Sequence, residues 1–301
     1  MLLKGLDATV LKALQTYGTT HPVHGENPIS FCNVFFVAQL VIGLTFLMPN
    51  PGAIRPALAQ LNPTDRWLLI IDAGLGLFIG PIAYYFTLES LSVISLTLLF
   101  ALVLPVSAHL ARQFLAESLP RRFWLSLSLI AIGLMLPGAA MMKAAGQGDQ
   151  LIGYGWALVG VLAFGSTAVT GRSIATRHWP AVVTIGIPST MSALLFGIIA
   201  LVLFGLGHFH LLNVRWVVGV ILIYGITLSL GSTVALGMAY RQYSVATVSI
   251  WGSLTIVVAI VSASALLGEP LDLATVSGVI FLLAGIITSH RSIRSDQVVQ
   301  Q

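Results

Sequence analysis

SVATVSIWGSLTIVVAIVSASALLGEP, residues 244–270, has an echo in the same chain. Shifted back by 152 positions it lies without a gap over SVISLTLLFALVLPVSAHLARQFLAES, residues 92–118. Ser92/Ser244, Val93/Val245, Leu102/Leu254, Val106/Val258, Ala111/Ala263, Leu115/Leu267 and Glu117/Glu269 are identical, and the diagonal continues to Gly133/Gly285. A fixed offset of this length marks two half-proteins and not a solenoid, whose repeats are roughly 20–50 residues. Both copies are apolar enough to lie in a bilayer, so this repeat decides the fold.

Working outward, the composition agrees. Hydrophobic residues make up 57% and charged residues 8% of the 301 positions, against about 25% charged in an ordinary soluble domain. The expected fold class is all-α integral membrane. The single cysteine, Cys32, excludes an internal disulfide framework, and no Cys/His spacing suits zinc. The formal charge of +4 comes from basic residues scattered through the loops, without the clustered basic and aromatic pattern of a nucleic-acid surface. No cofactor and no nucleic-acid partner is expected; the lipid bilayer is.

A spanning helix needs about 20 mainly apolar residues. Nine segments approach that: Ile29–Met48, Trp67–Leu88, Leu91–Leu115, Phe123–Met142, Leu151–Thr170, Ala181–Leu206, Trp216–Ala239, Ala246–Leu267 and Ala274–Ser289. A tenth comes from aligning GLDATVLK at Gly5 with GSTAVTGR at Gly165, which pairs Lys12 with Arg172. By that register the first helix starts about ten residues late, so helix 1 is expected to be truncated; Met1–Gly18 has no signal-peptide pattern. Arg291–Gln301 reads as a short polar tail. With ten helices and a cytoplasmic N-terminus, eleven of the 14 Lys and Arg residues fall inside, and only Lys12, Lys143 and Arg215 fall outside. Both termini are then cytoplasmic. Five helices per half reverse the second half in the membrane, giving inverted repeats over 1–145 and 146–301, which is transporter architecture.

Paired halves, each with an Ala/Ser-rich helix ending in Leu-x-Glu (Leu115/Glu117 and Leu267/Glu269) and followed by a helix with a glycine (Gly133, Gly285), resemble the drug/metabolite transporter superfamily, EamA type. The resemblance implies ten helices, a central cavity lined mainly by helices 1, 3, 4, 6, 8 and 9, and transport of small metabolites, often export of amino acids. Two departures stand out. The family's proline before the motif glutamate is kept as Pro105 but replaced by Val257 in the second half, which puts a symmetric kink in doubt, and the start of helix 1 is missing.

Ionisable groups inside spans are candidate functional residues because burying them is costly. Asp72 is a candidate substrate-amine partner or proton site, or a carboxylate reaching for the interface or for Arg66. Asp7 faces the cavity if helix 1 spans, and is hydrated if it does not. Lys12 reads as a gate or interface anchor, and His109 as an interfacial imidazole or a proton relay. Ser249 and Ser253 share a helix face and offer hydroxyls to a substrate or to helix packing. Trp156, Tyr224 and Trp251 are the preferred aromatic cavity residues; Tyr84, Tyr85 and Phe100 belong to the same wider group. His208-x-His210 is too sparse for a metal site, and Glu117 and Glu269 read as loop anchors.

No Walker motif supports ATP coupling, and no paired carboxylates, histidine cluster or Ser/Lys dyad supports an intramembrane enzyme. The reading is a secondary transporter of a small neutral or zwitterionic metabolite in the bacterial inner membrane, with proton coupling through Asp7 or Asp72. The alternative is a truncated, non-transporting paralogue or membrane scaffold.

Overall fold

The computed structural model describes residues 2–23, 25–49, 51–117, 122–144, 148–177 and 179–299. Among these, ten long helices form: α1 (Leu2–Thr20), α2 (Phe31–Leu47), α3 (Pro63–Ser90), α4 (Val93–Phe114), α5 (Phe123–Ala144), α6 (Gly148–Ala175), α7 (Val182–Phe204), α8 (Arg215–Gln242), α9 (Val245–Leu267) and α10 (Leu273–Val299). Among the described residues the only β pairing is an isolated bridge between Val23 and Glu26. Helices α3, α4, α6, α7, α8 and α9 are long and apolar enough to cross a bilayer, and Phe31–Leu47, Phe123–Gly133 and Leu273–Gly285 are shorter apolar stretches. Large apolar side chains face outward, among them Leu151, Val202 and Leu273 at 75%, 76% and 89% exposure. Lipid solvates such a surface and water does not. This is an all-α membrane protein.

All nine apolar segments expected from the sequence are helical. The polar stretch from Arg291, expected as a tail, instead continues α10 to Val299. The proposed boundary between 145 and 146 falls on residues 145–147, outside the described residues. So does Arg121 of the charge count, as do the side chains of Lys143, Arg291 and Arg294.

The sequence predicts kinks in α3, at Gly76 and Gly80 followed by Pro81, and in α4 at Pro105; four helices are interrupted within their length, and α7 opens with a further π-helical turn at Val182–Gly186. Helices α3 and α8 widen into π-helical turns at Gly74–Ile79 and Gly225–Leu230, a feature frequent at functional sites. Helix α4 breaks between Phe100 and Val103, and α9 breaks at Ser253. In α4 the cause is Pro105, which has no N–H for the carbonyl of Ala101; the Leu104 amide takes that carbonyl at 3.1 Å. In α9, with Val257 in place of proline, hydroxyls act instead. Ser253 donates to the Ile250 carbonyl, and Thr255 to that of Gly252 at 2.6 Å. The kink thus occurs in both helices, at positions 152 apart, from different side-chain chemistry.

Close helix contacts also repeat between the halves. A Cβ on Gly5 would lie 2.5 Å from Val258, and one on Gly165 would lie 2.6 Å from Val106, so α1 packs on α9 much as α6 packs on α4. Helices α5 and α10 meet through Gly133, against the Gly278 carbonyl, and Gly285, against Ile130 and the Ser126 carbonyl. A separate aromatic cluster of Phe31, Phe35, Phe78, Tyr85 and Phe196 fills the space between α2, α3 and α7.

Candidate functional site

Helix α1 brings charge to the level of the breaks in α4 and α9. Gly5 rests on Thr255 and Val258, just beyond the α9 break, and one turn later Thr9 shares a hydrogen bond of 2.7 Å with Ser262. On this helix the Lys4 ammonium lies 3.3 Å from the Asp7 carboxylate. Asp7 is buried at 6% exposure, whereas the Lys4 side chain keeps 51% of its surface. Lys4 lies 6.0 Å from the ring centres of both Tyr84 and Phe164, within the range of a cation–π attraction. Tyr84, Phe100 and Phe164 form one wall, with centroids 5.3, 6.5 and 5.9 Å apart. Tyr224, buried at 4% exposure, lies close enough to Asp7 and Ser229 to interact with both.

The local sequence explains this convergence. Phe100 is the last residue before the α4 break, Tyr224 immediately precedes the π-helical turn of α8 that carries Ser229, and Tyr84 follows the equivalent turn of α3. The irregular backbone of four helices therefore surrounds one ion pair. A cation and a carboxylate side by side, one exposed and one buried, flanked by phenols and rings, can bind a small molecule bearing both charges and an apolar body.

Of the residues singled out in the sequence, Asp7 and Tyr224 come together here. Asp72 lies twelve residues from Tyr84 along α3, about 18 Å at 1.5 Å per residue. It accepts from the Thr170 hydroxyl and lies near Tyr240. Trp156 stacks on Phe86 at 5.2 Å and 26° as part of the aromatic packing. Ser249 bonds Ser107 at 2.9 Å between α9 and α4. Ser253 serves the α9 break, and Trp251 is partly buried in the last turn before it. His109 is exposed and bonds Gln113. His208 is buried between Ser30 and Glu26 and stacks on Phe204, while His210 faces Asn213. A groove of about 260 Å³ lined by Pro105, His109, Arg112, Phe123, Trp124 and Leu127 contains none of the residues around Lys4.

Sequence reasoning missed Lys4, assigned there to a cytoplasmic end, and Phe164. The i,i+3 spacing of Lys4 and Asp7 was the available signal; Phe164 gave none, since nothing in its own segment distinguishes it from lipid-facing residues.

The motif glutamates occupy the two ends of α4 and α9. Glu269 accepts from the Val93 and Ile94 amides at 2.8 and 3.0 Å, the first turn of α4. Lys12 lies in the field of Glu269 and Glu89 and donates to the carbonyls of Leu88 and Leu91. At the other end Glu117 accepts from the Val245 amide at 2.9 Å, the first turn of α9, and from Arg172 at 3.2 Å; Arg172 also donates to the Tyr240 carbonyl. Leu88 and Tyr240 are again 152 apart.

These features define a multi-pass helical membrane protein with an ion pair set among broken helices. Comparison with known proteins supplies the family. The EamA-like transporter family model matches residues 151–290. The protein called Uncharacterized transporter sll1164, from Synechocystis sp., is 30% identical over 288 residues, spanning 90% of this chain and 79% of its own length. A solved crystal structure of a protein, 14% identical, superposes with a TM-score of 0.65 over 97% of each chain; at that identity the likeness concerns the fold alone. The chain belongs to the EamA-like transporter family, within the drug/metabolite transporter superfamily.

Proposed function

We propose that the protein is a secondary transporter that moves a small zwitterionic metabolite, an amino acid or related compound, by alternating access, in the direction of export. The carrying observation is the Lys4–Asp7 pair set among Tyr84, Phe100, Phe164 and Tyr224. Lys4 takes the substrate's carboxylate, Asp7 takes its ammonium group, and the rings hold the remainder. The two partners form an ion pair in the absence of substrate, so binding exchanges one ion pair for two.

In this reading the helices form two inverted repeats, 1–145 and 146–301, with the C-terminus in the cytoplasm of a bacterial cell and the site midway, at the level where α1 begins. The matched breaks of α4 and α9, the matched π-helical turns of α3 and α8 and the matched glycine contacts support that arrangement. A proton is the natural coupling ion, taken up at Asp7 when the substrate leaves. Asp72, remote from the pair, is assigned to the α3–α6 contact.

Ligand-induced thermal stabilisation of the purified protein tests the site. Amino acids are expected to stabilise it more than the matching decarboxylated amines or deaminated acids. Lys4→Gln removes the preference over the amine, and Asp7→Asn removes the preference over the acid. Each loss is about tenfold in affinity, or about 1.4 kcal/mol. Equal losses for all three ligand classes in both variants would refute the assignment.

A further inference from the structure

We propose that Glu117 and Glu269 are opposing latches that set which end of the transporter opens. Each carboxylate closes the C-terminal end of one broken helix onto the N-terminal end of the other, so α4 and α9 are tied antiparallel at both ends. The ties lie about 30 Å apart, the length of a 22-residue helix at 1.5 Å per residue, with the breaks at residues 101–102 and 253 between them. Such breaks supply the hinges that let one end separate while the other stays closed.

Each latch is built from the same parts. The residue before the glutamate is left-handed in both, Ala116 at φ 51° and Gly268 at φ 68°, which turns the carboxylate back over the helix end. A serine caps the receiving helix, Ser92 towards the Ser95 amide at 3.1 Å and Ser244 towards the Thr247 amide at 3.3 Å. A cation from α1 or α6 accompanies the carboxylate, Arg172 at 3.2 Å from Glu117 and Lys12 within the electrostatic field of Glu269, and at the same time holds the last turn of α8 or α3 through a carbonyl. One glutamate therefore joins four helices at each end. Opening an end exposes a charged pair and unpairs the first amides of a helix, and opening both together loses both sets of contacts. This coupling favours states with one end closed. The inference rests on the alternating-access reading, and its test records opening directly instead of transport.

Ala111 and Ala263 are equivalent, fully buried at 0% exposure, and lie one turn inside the Glu117 and Glu269 ends. In a Cys32→Ala background, A111C and A263C report the two ends through their rates of labelling by a small thiol reagent in detergent. Glu117→Gln is expected to raise labelling at A111C about tenfold and to lower it at A263C, with Glu269→Gln doing the reverse; a shift in one equilibrium must move both reporters oppositely. Simultaneous increases at both reporters, or no change at either, would overturn the proposal. Should Glu117→Gln fail to yield folded protein, Arg172→Gln leaves the Val245 cap intact and must shift labelling in the same direction, whereas Arg172→Lys must not. Loss of substrate binding with the opposite labelling shifts retained would overturn the site assignment and leave the latches standing.

Discussion

At the scale of single residues, Ala116 is the most informative position. It holds φ 51°, a conformation that costs a side-chain-bearing residue about 1–2 kcal/mol, while its counterpart in the second half is Gly268. Ala116→Gly is therefore expected to raise stability by about 1 kcal/mol, seen as a higher thermal midpoint; a lower midpoint would contradict the geometry. Asp272 caps α10 by accepting from the Thr275 amide at 2.7 Å, and the bonds to Thr275 hold its carboxyl below the usual aspartate range. A lowered folded-state pKa means the cap is complete above the unfolded-state value and is lost as pH falls through the folded one. Asp272→Ala should lower the midpoint at neutral pH by the equivalent of about 1 kcal/mol, and this difference should vanish in acid. The same scale shows where sequence reading stops. Asp7 and Tyr224 could be singled out because a carboxylate in an apolar helix, and a phenol 152 positions after Asp72 where the other half has an aspartate, are chemically conspicuous. Lys4 was read as one more topogenic charge, since only the fold places it over two aromatic rings. Trp156 and Ser249 have the chemistry of site residues, but their stacking and hydroxyl partners are packing contacts that no local pattern distinguishes.

At the scale of elements, the spans were legible because apolar runs are long and loops short, whereas the interruptions within them were legible only where proline marks them. A π-helical turn leaves no compositional mark in an apolar segment, and the α9 break is made by Ser253 and Thr255, residues equally at home in a regular helix. Pro105 announced a kink in α4, as Gly76 and Gly80 followed by Pro81 did in α3, and the departure at Val257 suggested asymmetry that hydroxyl-to-carbonyl bonding removes. Gly133 and Gly285 were legible as repeated positions, and the fold explains them as the contact of α5 with α10. Gly133→Leu would press its Cβ, at 2.5 Å, into the Gly278 carbonyl, and rigid backbone cannot yield as a side chain does. Overpacking of this kind costs about 1–3 kcal/mol. The expected result is a clearly lowered thermal midpoint for Gly133→Leu beside a near-normal one for a leucine at lipid-facing Val202; equal effects would contradict the α5–α10 contact.

At the scale of the whole molecule, the duplication was legible at its most apolar stretch, and the cross-tied glutamates give that stretch a physical purpose. Repeated sequence alone could not say that Glu117 and Glu269 each reach into the other copy, because that depends on how the two copies lie against each other. In the proposed topology the C-terminus lies in the cytoplasm. A green fluorescent protein fused after Gln301 is expected to fluoresce and an alkaline phosphatase fusion there to be inactive, as the excess of Lys and Arg in the inner loops requires; the reverse pattern would invert the topology. The central claim, that a charged pair midway between two broken helices carries a zwitterion across the membrane, is tested most directly by counterflow. Proteoliposomes loaded with an amino-acid mixture should accumulate trace labelled amino acid from outside when they contain the unaltered protein. Those with Lys4→Gln or Asp7→Asn should fall to the level of empty vesicles, and correctly folded unaltered protein that exchanges no amino acid at all would contradict the account.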